Sequence, residues 1–153
     1  QFIEGREVNV GILGNSPAEA LPPAELVNDA GTTKIYTYED KMKKSGREIG
    51  IVCPAPLDEA TTKRAQEIAV QAFHALGCYD CARVDIRLDA DDNPYVLEIN
   101  SLPSLGEHGS YLIGAAHAGL DFDAVANALV DAAAARARYG SLCGKSRIRW
   151  SFV

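Results

Sequence analysis

The chain has 153 residues, 47% of them hydrophobic and 24% charged, and a formal net charge of −6. This is the composition of a globular domain large enough to bury a core, and an acidic chain without a long Lys/Arg run argues against nucleic acid as a partner. No apolar run reaches the ~18 residues of a membrane span, and four cysteines without a signal peptide point to a reduced, cytoplasmic protein with no membrane partner. The only methionine is Met42, so Gln1 is not a translation start and the chain is expected to begin inside a larger protein.

Residues 7 to 13 alternate, with Val8, Val10 and Ile12 on one face, and Gly14-Asn15-Ser16-Pro17 ends this first strand in a turn. Short strands are expected at Ala24 to Val27 and Lys34 to Tyr38, followed by an exposed loop, YEDKMKKSGRE. IVCPAPL is broken by Pro54 and Pro56, which makes it an edge strand or an extended lead-in. Asp58 caps a helix in which Ala65, Ile68, Ala69, Ala72, Phe73 and Leu76 recur at helical spacing until Gly77 stops it. CARVDIRLD and PYVLEIN alternate on either side of a turn, giving a β-hairpin of about residues 82 to 100. A Gly/Ser/Pro-rich loop leads to two helices, YLIGAAHAG and DFDAVANALVDAAAARARYG, the second ending at Gly140, and the tail 141–153 has no period to assign. The fold class is α+β, a mainly antiparallel sheet backed by helices.

In YVLEINSLPS, alternation sets Glu98 and Asn100 on one face with Val96, and Tyr95, Leu97 and Ile99 on the other. A four-residue loop at 90–93 puts Asp85 opposite Glu98 and Arg83 opposite Asn100. Like charges directly opposite destabilise a sheet, so either a bound cation joins the two acids or the face is solvated and the acids point apart. Two carboxylates and an amide oxygen suit a hard ion such as Mg²⁺, with nucleotide phosphates completing its shell. Arg83, one pleat from Asp85, suits a phosphate or a developing oxyanion.

Other candidates are weaker. Cys78 and Cys81 have CxxC spacing but no second pair, and ordinary buried thiols are favoured over a zinc site. Lys41 stands among Lys43, Lys44 and Arg47 in what reads as a solvated loop. His74 and His117 read as structural imidazoles on helices, while His108, in a loop soon after Asn100, has the better claim to a ligand.

FIEGREVNVGILGN, IYTYEDK, ARVDIRLDADDNPYVLEINSLPS and AAHAGLDFDAVANALVDAA, in that order, resemble the ATP-grasp fold of D-alanine–D-alanine ligase and its relatives over residues 2 to 137. The resemblance implies that residues 1–140 are the C-terminal catalytic portion, with the N-terminal domain and first ATP-binding lobe missing from the chain. It implies ATP and two Mg²⁺ ions as cofactors, with Mn²⁺ as a substitute. Glu7 would hold the ribose and Lys41 the terminal phosphate, Asp85, Glu98 and Asn100 would carry the metal, and Arg83 would stabilise a tetrahedral intermediate. The reaction implied is ATP-dependent joining of a carboxylate to an amine through an acyl phosphate, on small amino-acid or peptide substrates, with homodimerisation as one assembly. Three positions depart from the pattern. Ser104 replaces the usual glycine after the proline, whose N–H assists the oxyanion; Met42 replaces an aromatic residue; and GEHGSY puts Ser110 and His108 near the place of the serine that grips the acceptor carboxylate. The competing readings are a non-catalytic nucleotide-binding or regulatory module of the same fold, and a zinc or interaction domain built on the cysteines.

Overall fold

Arg6–Leu13 forms β1, the strand around which the rest of the sheet assembles. In this computed structural model, which describes residues 2–28, 38–42, 46 and 49–140, β1 is buried along Val8 to Leu13. Glu19–Ala20 (β2) and Ala24–Asn28 (β3) pair with it, and Ile49–Val52 (β4) pairs in turn with β3. On its other side lies Cys81–Leu88 (β5), followed by Pro94–Asn100 (β6), so the order is β4-β3-β1-β5-β6 with every pairing antiparallel. The strand at Ala24 and the edge strand before Pro54 are where the sequence puts them. The strand expected at Lys34 to Tyr38 lies outside the described residues except for Tyr38, which instead opens a helical turn, Tyr38–Lys41 (α1), within the segment read as a loop. The tail 141–153 lies outside them altogether.

One face of the sheet is covered by Glu59–Ala75 (α2). Asp58 accepts a hydrogen bond from the Thr61 N–H at 2.7 Å, the expected N-cap, and Gly77 (φ +63°) ends the helix where Cys78 donates its N–H to Phe73 O at 3.0 Å. Ala65, Ala69 and Phe73 pack on Val8, Val10, Ile12, Val84, Ile86 and Leu88, and all nine are essentially buried. Removing Phe73 from water alone contributes ~2–3 kcal/mol.

The opposite face is only half covered. Ser110–His117 (α3) and Phe122–Gly140 (α4) pack over one end through Leu21, Tyr111, Leu112, Ala115 and Val125. Gly11 makes this approach possible, because a Cβ there would stand 2.7 Å from Leu21 Cδ1 and 3.0 Å from the Tyr111 ring. Tyr111 then donates its hydroxyl to Ile12 O at 3.0 Å, which fixes the start of α3 against the sheet. Among the described residues, the remainder of that face forms a cleft over Glu7, Asn9, Asp85 and Glu98.

A buttress at the far end ties α4 to the turns. Arg136 grips Asp80 through Nε (3.2 Å) and Nη2 (2.7 Å), and Asn15 Nδ2 donates to Asp80 Oδ1 at 2.9 Å. The Arg136 hydrogen bonds, then that of Asn15, hold the Asp80 carboxyl below its usual range. A lowered folded value means that the contribution is complete above the ordinary Asp pKa of about 4 and is lost as pH falls through the lower value. Arg136→Ala should therefore lower the melting temperature at pH 7, and the gap from the parent should narrow in thermal melts taken toward pH 2. A constant gap over that interval would contradict the ion pair.

Candidate active site

Three strands supply the polar sheet face on which the cleft lies, each through its alternate residues. β1 offers Glu7 and Asn9, β5 offers Arg83, Asp85 and Arg87, and β6 offers Glu98 and Asn100. Asp85 pairs with Glu98 and Arg83 with Asn100, the register expected from sequence. The route to that register differs from the expectation. Asp89 N–H bonds Asn93 O at 3.1 Å, so the loop has three residues with Asp92 at φ +58°, and Val96 consequently pairs with Ile86. A bulge between Asp85 and Ile86 of β5 then leaves Leu97 unpaired on β6 and restores the acid pair. This corrects the placement of Val96, which pairs with buried Ile86 on the helix-covered face, not beside Glu98. Leu97 in turn joins the cleft lining.

The cleft has a volume of about 500 Å³, within the range of small-molecule sites. Glu7, Asn9, Arg83, Asp85 and Glu98 line it from the sheet, with His108 and Ser110 at the rim where α3 begins. Tyr38 of α1 borders it; Lys41 ends that helix, and its side chain lies outside the described residues. Asn100 stands beside the acids, donating Nδ2 to Glu98 Oε1 at 3.0 Å and approaching Asp85 Oδ2 at 3.4 Å. Ser104 is exposed in the connecting loop, where its Oγ accepts the Gly106 N–H at 3.3 Å, and it does not line the cleft.

Burial acts on the acids of the two inner strands. Burial raises the Asp85 carboxyl above its ordinary value, opposed by the hydrogen bonds from Arg83, while Arg83 is raised chiefly by its hydrogen bonds to Asp85. Burial likewise raises Glu7, against the pull of Arg87. Asn9 and Arg87 were not anticipated from sequence. Asn9 Nδ2 donates to Asp85 Oδ1 at 2.8 Å, and Arg87 donates to Ile3 O (2.6 Å), Gly5 O (3.1 Å) and Glu7 Oε2 (3.2 Å). The available signal was a polar residue two positions from an expected site residue on the same strand face: Asn9 beside Glu7, and Arg87 beside Asp85.

Two carboxylates within reach of one amide form a hard oxygen donor set that fits Mg²⁺, the Asn100 amide presenting its oxygen after a half-turn. The cysteines form no comparable centre: Cys53, Cys78 and Cys81 are free thiols, and among the described residues no three His, Cys, Asp or Glu groups gather to hold a metal. No helix among the described residues is long and apolar enough to cross a membrane.

The family model described as D-ala D-ala ligase C-terminus matches residues 1–131. A D-alanine–D-alanine ligase of Herminiimonas arsenicoxydans is 42% identical over 125 residues, covering 80% of this chain and 36% of that protein. The D-alanine-D-alanine ligase structure from Coxiella burnetii superposes with a TM-score of 0.74 at 26% identity, over 92% of this chain and 35% of that one. The VanG D-Ala:D-Ser ligase from Enterococcus faecalis gives 0.70 at 28%, over 84% and 36%. The chain thus spans little more than a third of each of these relatives. Its antiparallel sheet with packed helices is the C-terminal portion of the ATP-grasp fold, and the chain belongs to the D-Ala–D-Ala ligase C-terminal family.

Proposed function

We propose that the full-length protein carrying this chain is an ATP-dependent carboxylate–amine ligase working through an acyl phosphate, and that residues 1–140 form the C-terminal catalytic portion. The carrying observation is the convergence of Glu7, Arg83, Asp85 and Glu98 on one open cleft in a chain of this family. Such a reaction transfers the terminal phosphoryl group of ATP to a substrate carboxylate, after which an amine attacks the acyl carbon and inorganic phosphate leaves. It demands positioning and charge neutralisation more than a covalent protein group.

Glu7, braced by Arg87, holds the ribose hydroxyls, and Lys41 serves the terminal phosphate. Asp85, Glu98 and Asn100 would hold Mg²⁺, which when bound neutralises the phosphate charge that develops during transfer. Arg83 stabilises the oxyanion of the tetrahedral intermediate, with the Ser104 N–H as the second donor in this reading. His108 and Ser110 select the amine acceptor, a small amino acid or peptide, since they line the cleft from the start of α3 and the loop before it, not from the strands that carry the acid pair.

The test uses the full-length protein with ATP, Mg²⁺ and D-alanine, with hydroxylamine to trap the acyl phosphate. His108→Ala and Ser110→Ala should raise the acceptor KM by ~10-fold, the cost of one lost charged or polar contact, while hydroxamate continues to form. Loss of hydroxamate in step with loss of amide would place these residues in the first step and end this division of roles. A parent protein that yields neither product with any amino acid or small peptide would end the ligase reading.

A further inference from the structure

Asp85 is bound by more donors than a cation ligand can retain. Arg83 donates Nε to Oδ1 and Nη2 to Oδ2, both at 2.7 Å, and Asn9 adds a bond to Oδ1 at 2.8 Å. A carboxylate oxygen has two lone-pair directions, so Oδ1 is saturated, and the Oδ2 direction held by Arg83 is closed to a metal. The donors differ in exposure. Asn9 is 5% exposed on the central strand directly opposite Asp85, whereas the Arg83 side chain is 27% exposed and reaches the cleft. A guanidinium at that position also repels any cation attracted by Asp85 and Glu98.

We propose that Arg83 is the resident counter-ion of Asp85, exchanged for the divalent cation when one binds between Asp85 and Glu98, and that Asn9 is the positioning residue that holds the Asp85 carboxylate through the exchange. The exchange makes the arginine available to an oxyanion only after the cation has arrived, which orders the two events without any moving domain. It rests on the ligase reading in one respect, that Asp85 and Glu98 are cation ligands.

The test measures Mn²⁺ alone binding to the full-length protein, from the loss of the free-ion electron paramagnetic resonance signal. Arg83→Met should bind Mn²⁺ about tenfold tighter than the parent, because both the competing grip and the charge are gone. Arg83→Lys, which keeps the charge and loses the two-point grip, should also bind tighter. Asn9→Leu, of similar volume but without a donor, should bind about tenfold weaker. Parent-like binding by Arg83→Lys beside tight binding by Arg83→Met would mean charge repulsion alone and would overturn the exchange. A lower melting temperature for Arg83→Met with unchanged Mn²⁺ affinity would reduce the pair to a structural ion pair, also overturning it. Parent-like affinity in folded Asn9→Leu would overturn the positioning role, and Asn9→Ser gives the same readout if the leucine variant does not fold. Glu98→Gln separates the two levels. If the parent binds Mn²⁺ and Glu98→Gln binds it no more weakly, the cation site itself is wrong; if only the Arg83 variants fail, the ligase reading stands and the exchange falls.

Discussion

Glu98→Gln is expected to slow amide formation by the full-length enzyme on the order of 10²-fold or more while leaving its fold intact. Glu98 lies on exposed β6, and its partner is the Asn100 amide, whose hydrogen bond at 3.0 Å a glutamine carbonyl still accepts. The backbone pairing with Asp85 does not depend on the side-chain charge. The substitution even removes the repulsion between two acids set opposite each other, so melting temperatures should differ little. Catalysis is another matter. A carboxylate that helps neutralise transferring phosphate acts mainly where charge develops, and its loss should cost ~3 kcal/mol or more of transition-state stabilisation, on the order of 10²-fold in rate. Steady-state phosphate release at saturating ATP and Mg²⁺ measures it, and near-parent turnover would remove Glu98 from the mechanism.

The second large effect concerns stability and lies at Gly5. Its φ is +147°, and a Cβ built there would meet Leu88 O at 1.8 Å, inside the hydrogen-bonded approach of β1 to β5. Gly5→Ala must therefore push apart the two strands that carry Glu7 and Asp85, besides straining its own backbone. It should cost ~3 kcal/mol or more. Gly77 is the control: it also has a positive φ, +63°, yet nothing lies within 4 Å of its added Cβ, so Gly77→Ala should cost only ~1 kcal/mol. Urea midpoints for the two variants provide the comparison, and equal losses would contradict the close contact at Leu88. Because Gly5 O is among the acceptors that orient Arg87 beside Glu7, Gly5→Ala should also weaken ATP binding at temperatures where the variant remains folded.

How much of this was legible in the sequence depends on how far apart the cooperating residues are. β1, α2 and the last two helices follow from periodicity and end signals within a dozen or so residues: Asp58 at the start of α2, Gly77 at its end, and Val8, Val10 and Ile12 on one side of β1. α1 escaped because four residues rich in charge carry no period to detect. Arg83 was read as facing a phosphate or oxyanion, and the structure shows it bound first to Asp85, two residues away on the same strand face.

The hairpin shows the boundary most clearly. By itself the sequence determined that Asp85 shares a face with Arg83 and Glu98 a face with Asn100, because strand alternation is a property of consecutive residues on one strand; it did not by itself bring the two acids together. The reason they stand directly opposite was decided by the tertiary structure. A loop one residue shorter than expected moves the register by one, and the bulge at Leu97 moves it back, turning Val96 toward the helix-covered face and Leu97 to the cleft. The same holds for the hold on Asp85, since Asn9 is 76 residues away and meets it only because β5 pairs antiparallel with β1. Local pattern fixes which side of a strand a residue occupies; pairing, bulges and burial fix what it meets there, since they depend on strands brought together from distant parts of the chain.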